Sequence, residues 1–113
     1  MKLTVTGLKN CDTCKKAIKS LNAAGFSPVF VDIRGEADLS VLVPLWLDAV
    51  GEEQLINKRS TTWRHLPEVE RSKDPSTLLQ LHPTLIKRPV IETAETVYVG
   101  WTKDTQAALL KNQ

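Results

Sequence analysis

A strand-like run, a helix-like run and a second strand-like run fit into the first 33 residues of this 113-residue chain. Its only two cysteines sit at the first junction. Leu3-Thr4-Val5-Thr6 alternates apolar and polar residues with the period of a strand. Gly7-Leu8-Lys9-Asn10 breaks that run and leads into Cys11-Asp12-Thr13-Cys14. From Asp12 to about Ala24 the apolar positions are Cys14, Ala17, Ile18, Leu21 and Ala24. That is the three-and-four spacing of one helical face, and Gly25 is a helix stop. Pro28-Val29-Phe30-Val31-Asp32-Ile33 is nearly continuous in apolar residues, as suits a strand covered on both faces. Two strands joined by such a helix normally run parallel.

The middle of the chain reads as helical. A helix starts at Ser40 or just after it, carries Leu42, Leu45, Trp46, Ala49 and Val50, and stops at Gly51. Pro44 is expected in its first turn, the position that tolerates a missing N–H. Asp74-Pro75 is a cap followed by proline at the first helical position, and Pro83 ends the helix of Leu78, Leu79 and Leu81. Pro89-Val90-Ile91-Glu92 and Thr96-Val97-Tyr98-Val99 read as a hairpin across Thr93-Ala94-Glu95. Thr102 or Lys103 opens a last helix through Leu110. The expected fold is α/β and thioredoxin-like: a mixed four-stranded sheet with an inserted helical subdomain. One domain is expected over 1–113, with its core at about 1–34 and 88–113 and the insert at about 35–87.

A chain of this length with 42% hydrophobic residues can bury a core without disulfide staples. No apolar run approaches the length of a membrane span, and Met1-Lys2-Leu3-Thr4-Val5-Thr6 lacks the apolar core of a signal peptide. A cytoplasmic location without membrane contact is therefore expected. In that compartment paired cysteines are more often catalytic or metal-binding than structural. A net charge of +2 is too small to argue for nucleic acid as a partner.

A C-x-x-C pair between a strand and a helix reads as a thioredoxin-like redox motif. Cys11 is the candidate nucleophile, because thiols at a helix start face backbone N–H groups and the positive end of the helix dipole. Lys9, Lys15 and Lys16 surround it and favour the thiolate, while Asp12 opposes them. Cys14 has two readings. It lies on the apolar face with Ile18 and Leu21, as a core residue would, and it is close enough to Cys11 to resolve an intermediate as a disulfide. Cys11, Cys14, His65 and His82 could be combined into a zinc site on paper. The two histidines stand far outside the three-to-five spacing of zinc fingers, and no metal is expected.

Three longer segments and one tripeptide resemble the arsenate reductase (ArsC)-like family. Asn10-Cys11-Asp12-Thr13-Cys14-Lys15-Lys16-Ala17 resembles its active-site loop. Leu55-Ile56-Asn57-Lys58-Arg59-Ser60-Thr61-Thr62-Trp63-Arg64 resembles its central insert. His82-Pro83-Thr84-Leu85-Ile86-Lys87-Arg88-Pro89-Val90-Ile91 resembles its most diagnostic stretch, and Val99-Gly100-Trp101 resembles the hairpin exit of its YffB and Spx branches. The similarity runs in order over nearly the whole chain and is greatest to the YffB branch.

The resemblance implies a thiol-disulfide oxidoreductase, a glutathione-dependent thiol reductase with Cys11 as nucleophile and no bound cofactor. Glutathione is the implied co-substrate, and a glutaredoxin is a possible partner beside the thiol or disulfide substrate. Arg88 is implied to face the cysteine and hold an anionic group, with Arg88-Pro89 a cis peptide. Arg59 is implied as a second anion-binding cation, at the position that fits the YffB and Spx pattern. From the residues themselves, the basic cluster of Lys15, Lys16 and Lys19 reads as a solvated helix face that could also attract anionic glutathione or an acidic protein partner. A monomer is expected. The alternatives are a redox-sensing regulator resembling Spx that binds RNA polymerase, and an arsenate reductase. Against the last, Gly100-Trp101-Thr102-Lys103 supplies no arginine where true arsenate reductases have a third. Lys103 would replace it only as a point charge.

Overall fold

A computed structural model describes residues 2–110; residues 1 and 111–113 of the expected domain lie outside the described residues. The described chain forms two compact units. One comprises the residues up to Ala37 together with those from Arg88 onward, and the other is Asp38–Lys87. The boundary falls three residues later than the expected insert start. The reason is local: the N–H groups of Glu36 and Ala37 both donate to the Asp32 carbonyl, at 3.0 Å each, which ties this turn to the preceding strand.

The first unit is built on β1 (Lys2–Gly7), α1 (Asp12–Ala23) and β2 (Ser27–Asp32), followed after the second unit by β3 (Val90–Glu92), β4 (Val97–Val99) and α7 (Lys103–Leu110). The sheet order is β2-β1-β3-β4. β1 pairs with β2 in parallel and with β3 in antiparallel, and β3 pairs with β4 in antiparallel. This is the mixed four-stranded sheet of a thioredoxin-like fold. Strand alternation sends Leu3 and Val5 to one face, where they pack with Leu21 of α1, Ile91 of β3 and Leu109 of α7. Both helices therefore lie on the same face of the sheet, and their buried residues close the core.

α1 ends as its sequence dictates. Gly25 takes a φ of 91°, which a residue with a side chain rarely adopts. The Phe26 N–H then reaches back to the Leu21 carbonyl at 3.0 Å and Gly25 N–H to Asn22 at 3.1 Å, the paired bonds of a Schellman motif. Phe26 and Leu21 pack in the same cluster.

The second unit contains α2 (Leu39–Val50), α3 (Glu52–Leu55), α4 (Thr61–His65), α5 (Glu68–Arg71), α6 (Pro75–Leu81) and a 3-10 turn (Pro83–Leu85). Asp74 caps α6 by accepting from the Thr77 N–H at 3.1 Å, with Pro75 at the first position. Pro44 departs from expectation. The helix begins at Leu39, so Pro44 stands in its interior rather than in its first turn. Leu42 N–H already donates to Asp38 at 2.9 Å, and the flanking Val43 and Trp46 are fully buried. Their burial outweighs the hydrogen bond that proline removes. Leu55, Leu78, Leu79 and Leu85 are buried too. The segments on either side are stitched by an Ile56–Ile86 bridge, with Asn57 N–H donating to Leu85 at 2.7 Å and Lys87 N–H to Leu55 at 2.8 Å. No helix among the described residues is long and apolar enough to cross a membrane.

Candidate active site

Cys11 is the N-cap of α1. Its backbone is extended, with φ −95° and ψ 115°, and its sulfur accepts the Cys14 backbone N–H at 3.4 Å. The loop before it is closed by the Cys11 N–H donating to the Leu8 carbonyl at 3.2 Å. A sulfur therefore stands where serine or aspartate commonly caps a helix, and it receives the same orphan N–H. An anion at this end of α1 is favoured by the helix dipole as well. Cys11 remains partly exposed and is not in a disulfide.

Arg88 comes to the same place through the sheet. Val90 pairs with Thr6 in the antiparallel β1–β3 register. Two residues earlier in the chain, Arg88 falls opposite the segment leaving β1 toward the cysteines. The Arg88–Pro89 peptide is cis, and the Pro89 carbonyl accepts the Gly100 N–H at 2.8 Å, fastening this loop to the exit of β4.

The electrostatics of Cys11 follow from these neighbours. Partial burial is the largest single influence and pushes its pKa up. The Cys14 thiol, the Cys14 backbone N–H and the Arg88 guanidinium act in the opposite direction and win, leaving the pKa below the ordinary value of 9.0. Cys14 behaves in reverse. Burial, then its hydrogen bond to Cys11, push its thiol up to about 11. The two thiols are thus shifted in opposite directions, Cys11 downward and Cys14 upward.

Cys14 is 1% exposed, and a glycine gives it room. A Cβ placed on Gly7 would stand 2.5 Å from the Cys14 sulfur, closer than packed atoms tolerate. In the sequence, Gly7 reads only as a strand breaker. The contact is between elements, so no local pattern announces it.

The other sequence candidates are placed as follows. Lys15 is exposed on α1 and lines an apolar pocket. Arg59 belongs to the second unit, where it is exposed in the turn before α4 and its N–H donates to the Asn57 side chain at 3.1 Å. Ser60, next to it, caps α4 by accepting the Trp63 N–H at 3.1 Å. Trp63 in turn has Arg71 over its ring at 5.2 Å and Lys58 at 5.7 Å. His82 faces Glu70 at 3.2 Å. Among the described residues no group of three or more His, Cys, Asp or Glu side chains is arranged to hold a metal ion.

The ArsC family model matches residues 7–109. The chain belongs to the ArsC family. An uncharacterized protein of Haemophilus influenzae is 43% identical over 112 residues, covering 94% of this chain and 97% of that one. A solved YffB protein superposes with a TM-score of 0.85 at 30% identity, covering 96% of this chain and 98% of the other. A solved protein of Brucella melitensis, described as arsenate reductase (ArsC) related, gives 0.76 at 34% identity, covering 98% and 96%. The sequence resemblance to this family, and to its YffB branch in particular, is thereby upheld.

Proposed function

We propose that this member of the ArsC family is a glutathione-dependent thiol reductase in which Cys11 is the nucleophile. The observation that carries the reading is the Cys11 sulfur at the N-cap of α1, its pKa held down by Cys14 and Arg88. A thiolate attacks disulfide sulfur, and its fraction at neutral pH governs the rate. For a glutathionylated thiol, Cys11 thiolate attacks the glutathione sulfur. The substrate's sulfur leaves as thiolate and takes up a proton. The new Cys11–glutathione disulfide is then attacked by a second glutathione thiolate, which releases oxidised glutathione and regenerates Cys11.

The alternative release, attack by Cys14, needs a Cys14 thiolate. Burial and its hydrogen bond to Cys11 push that thiol up to about 11, so the anion is disfavoured at neutral pH. Forming the mixed disulfide removes the Cys11 anion, but burial, the larger influence, persists. The one-cysteine route is therefore the one supported at neutral pH. After challenge with oxidised glutathione, mass spectrometry is expected to find one glutathione on Cys11, discharged by reduced glutathione. Cys14→Ser is expected to retain turnover of a glutathionylated peptide. No adduct on Cys11 would remove the nucleophile assignment, and an internal disulfide as the dominant product would restore Cys14 as resolver.

Family membership itself favours arsenate reduction as a second reading. The segment after β4 argues against it, since Gly100-Trp101-Thr102-Lys103 contains no arginine and its one cation, Lys103, lacks the planar fork. Glutathione-coupled arsenate turnover by the wild-type protein is expected to be poor relative to turnover of a glutathionylated peptide. Efficient arsenate reduction would reverse the order of the two readings.

A further inference from the structure

The exchange reaction leaves one feature beside the cysteines unused. An apolar pocket of about 200 Å³ is lined by Leu8, Lys9, Cys14, Lys15, Ile18 and Phe30. Three elements of the first unit build it. Leu8 and Lys9 come from the loop leaving β1, and Cys14, Lys15 and Ile18 from the first two turns of α1. Phe30 comes from β2, paired in register with Val5. Leu8, Ile18 and Phe30 are each only half-buried, while both lysines are exposed. The hollow opens to solvent, and Cys14 in its lining donates its backbone N–H to the Cys11 sulfur at 3.4 Å, so an occupant would lie one helical turn from the nucleophile.

Its size limits that occupant. Sites for whole small molecules span about 300–1,000 Å³, whereas a dry apolar cavity of about 150 Å³ accepts a guest the size of benzene. The pocket therefore suits one side chain. Glutathione, with two carboxylates, an ammonium and two amides, has no apolar side chain to place there. Charge narrows the choice further. From Lys9 to Lys19 the chain carries Lys9, Lys15, Lys16 and Lys19 against Asp12 alone, and Lys9 and Lys15 belong to the pocket itself.

We propose that this pocket receives the apolar side chain adjoining the disulfide cysteine of a protein substrate, with an acidic residue beside it meeting Lys9 and Lys15. The substrate class is then a glutathionylated protein cysteine in an apolar, acidic context. This rests on the thiol-exchange reading and deepens it.

The test uses the full-length protein and glutathionylated peptides that differ only beside the modified cysteine. Leucine there is expected to give a kcat/KM roughly tenfold or more above asparagine, the discrimination one apolar pocket supplies. A glutamate next to the leucine is expected to outperform a lysine, with the difference shrinking in about 1 M salt. Leu8→Asn and Ile18→Asn are each expected to erase the leucine preference while exchange with oxidised glutathione stays at the wild-type rate. Two substitutions are used because Ile18 also packs against the core cluster. Equal kcat/KM for the leucine and asparagine peptides, or a preference for lysine over glutamate, overturns the proposal while exchange with oxidised glutathione is intact. Loss of that exchange in the wild type would instead strike the underlying reading.

Discussion

Replacing Arg88 by alanine is expected to move the pH profile of Cys11 alkylation upward and to weaken glutathione binding about tenfold or more. Only the thiolate is alkylated, so the rate climbs as pH rises through the Cys11 pKa. In the wild type that climb lies below 9.0 because Cys14 and Arg88 outweigh burial. Without the guanidinium, burial faces the Cys14 groups alone, and the climb shifts to higher pH. The binding effect has a separate origin. A charge-assisted hydrogen bond to an anion is worth about 1.5–3 kcal/mol, and each 1.4 kcal/mol is about tenfold in affinity. Arg88→Lys is expected to restore part of the alkylation profile, since a charge remains, but less of the binding, since the planar fork is lost. The measurements are iodoacetamide labelling against pH, read at Cys11 by mass spectrometry with Cys14 in place, and titration with a glutathione analogue. A folded Arg88→Ala protein with an unmoved profile and unchanged affinity would separate Arg88 from the chemistry.

What the sequence made legible was whatever is encoded locally. Alternation in β1, the three-and-four spacing from Cys14 to Leu21, Gly25 as a stop and Asp74-Pro75 as a start each concern residues within a turn or two of one another. The structure reproduces all of them. Cys11 at the helix start was legible for the same reason. The helices α3, α4 and α5 were not individually legible, because runs of four or five residues are too short to display a helical period. Pro44 was misplaced because local preference favours the first turn, whereas the burial of Val43 and Trp46 decides the outcome. Arg88 beside Cys11 could not be derived from spacing. It depends on the Thr6–Val90 register between strands separated by the whole helical unit, and only the family resemblance anticipated it. The pocket was missed on the same grounds, since it needs Phe30 of β2 brought alongside α1.

Gly7→Ala carries the second large expected effect, and it separates a packing role from an electrostatic one. The φ of Gly7 is not positive, so alanine meets no backbone strain there. Removing a glycine from the unfolded chain would even stabilise the protein by about 0.4–1 kcal/mol. Against that gain, the new methyl would stand 2.5 Å from the Cys14 sulfur and 3.5 Å from its Cβ. Cys14 is 1% exposed and borders the apolar pocket, so its sulfur is expected to be pushed toward that hollow. Overpacking of this kind costs about 1–3 kcal/mol, so the net change is destabilising but small against a typical stability of about 5–15 kcal/mol. The substituted protein is therefore expected to fold. Its Cys11 is expected to alkylate with a profile shifted to higher pH, because the displaced Cys14 thiol no longer donates to the thiolate. Denaturant unfolding of Gly7→Ala, Cys14→Ala and the double substitution closes a cycle that isolates the contact. With the sulfur gone, the alanine methyl has nothing to strike, and Gly7→Ala is expected to cost little or to stabilise in the Cys14→Ala background. Equal cost of Gly7→Ala in both backgrounds would mean that the glycine serves something other than the Cys14 sulfur. An unmoved Cys11 profile in Gly7→Ala would mean that Cys11 does not depend on where that sulfur lies.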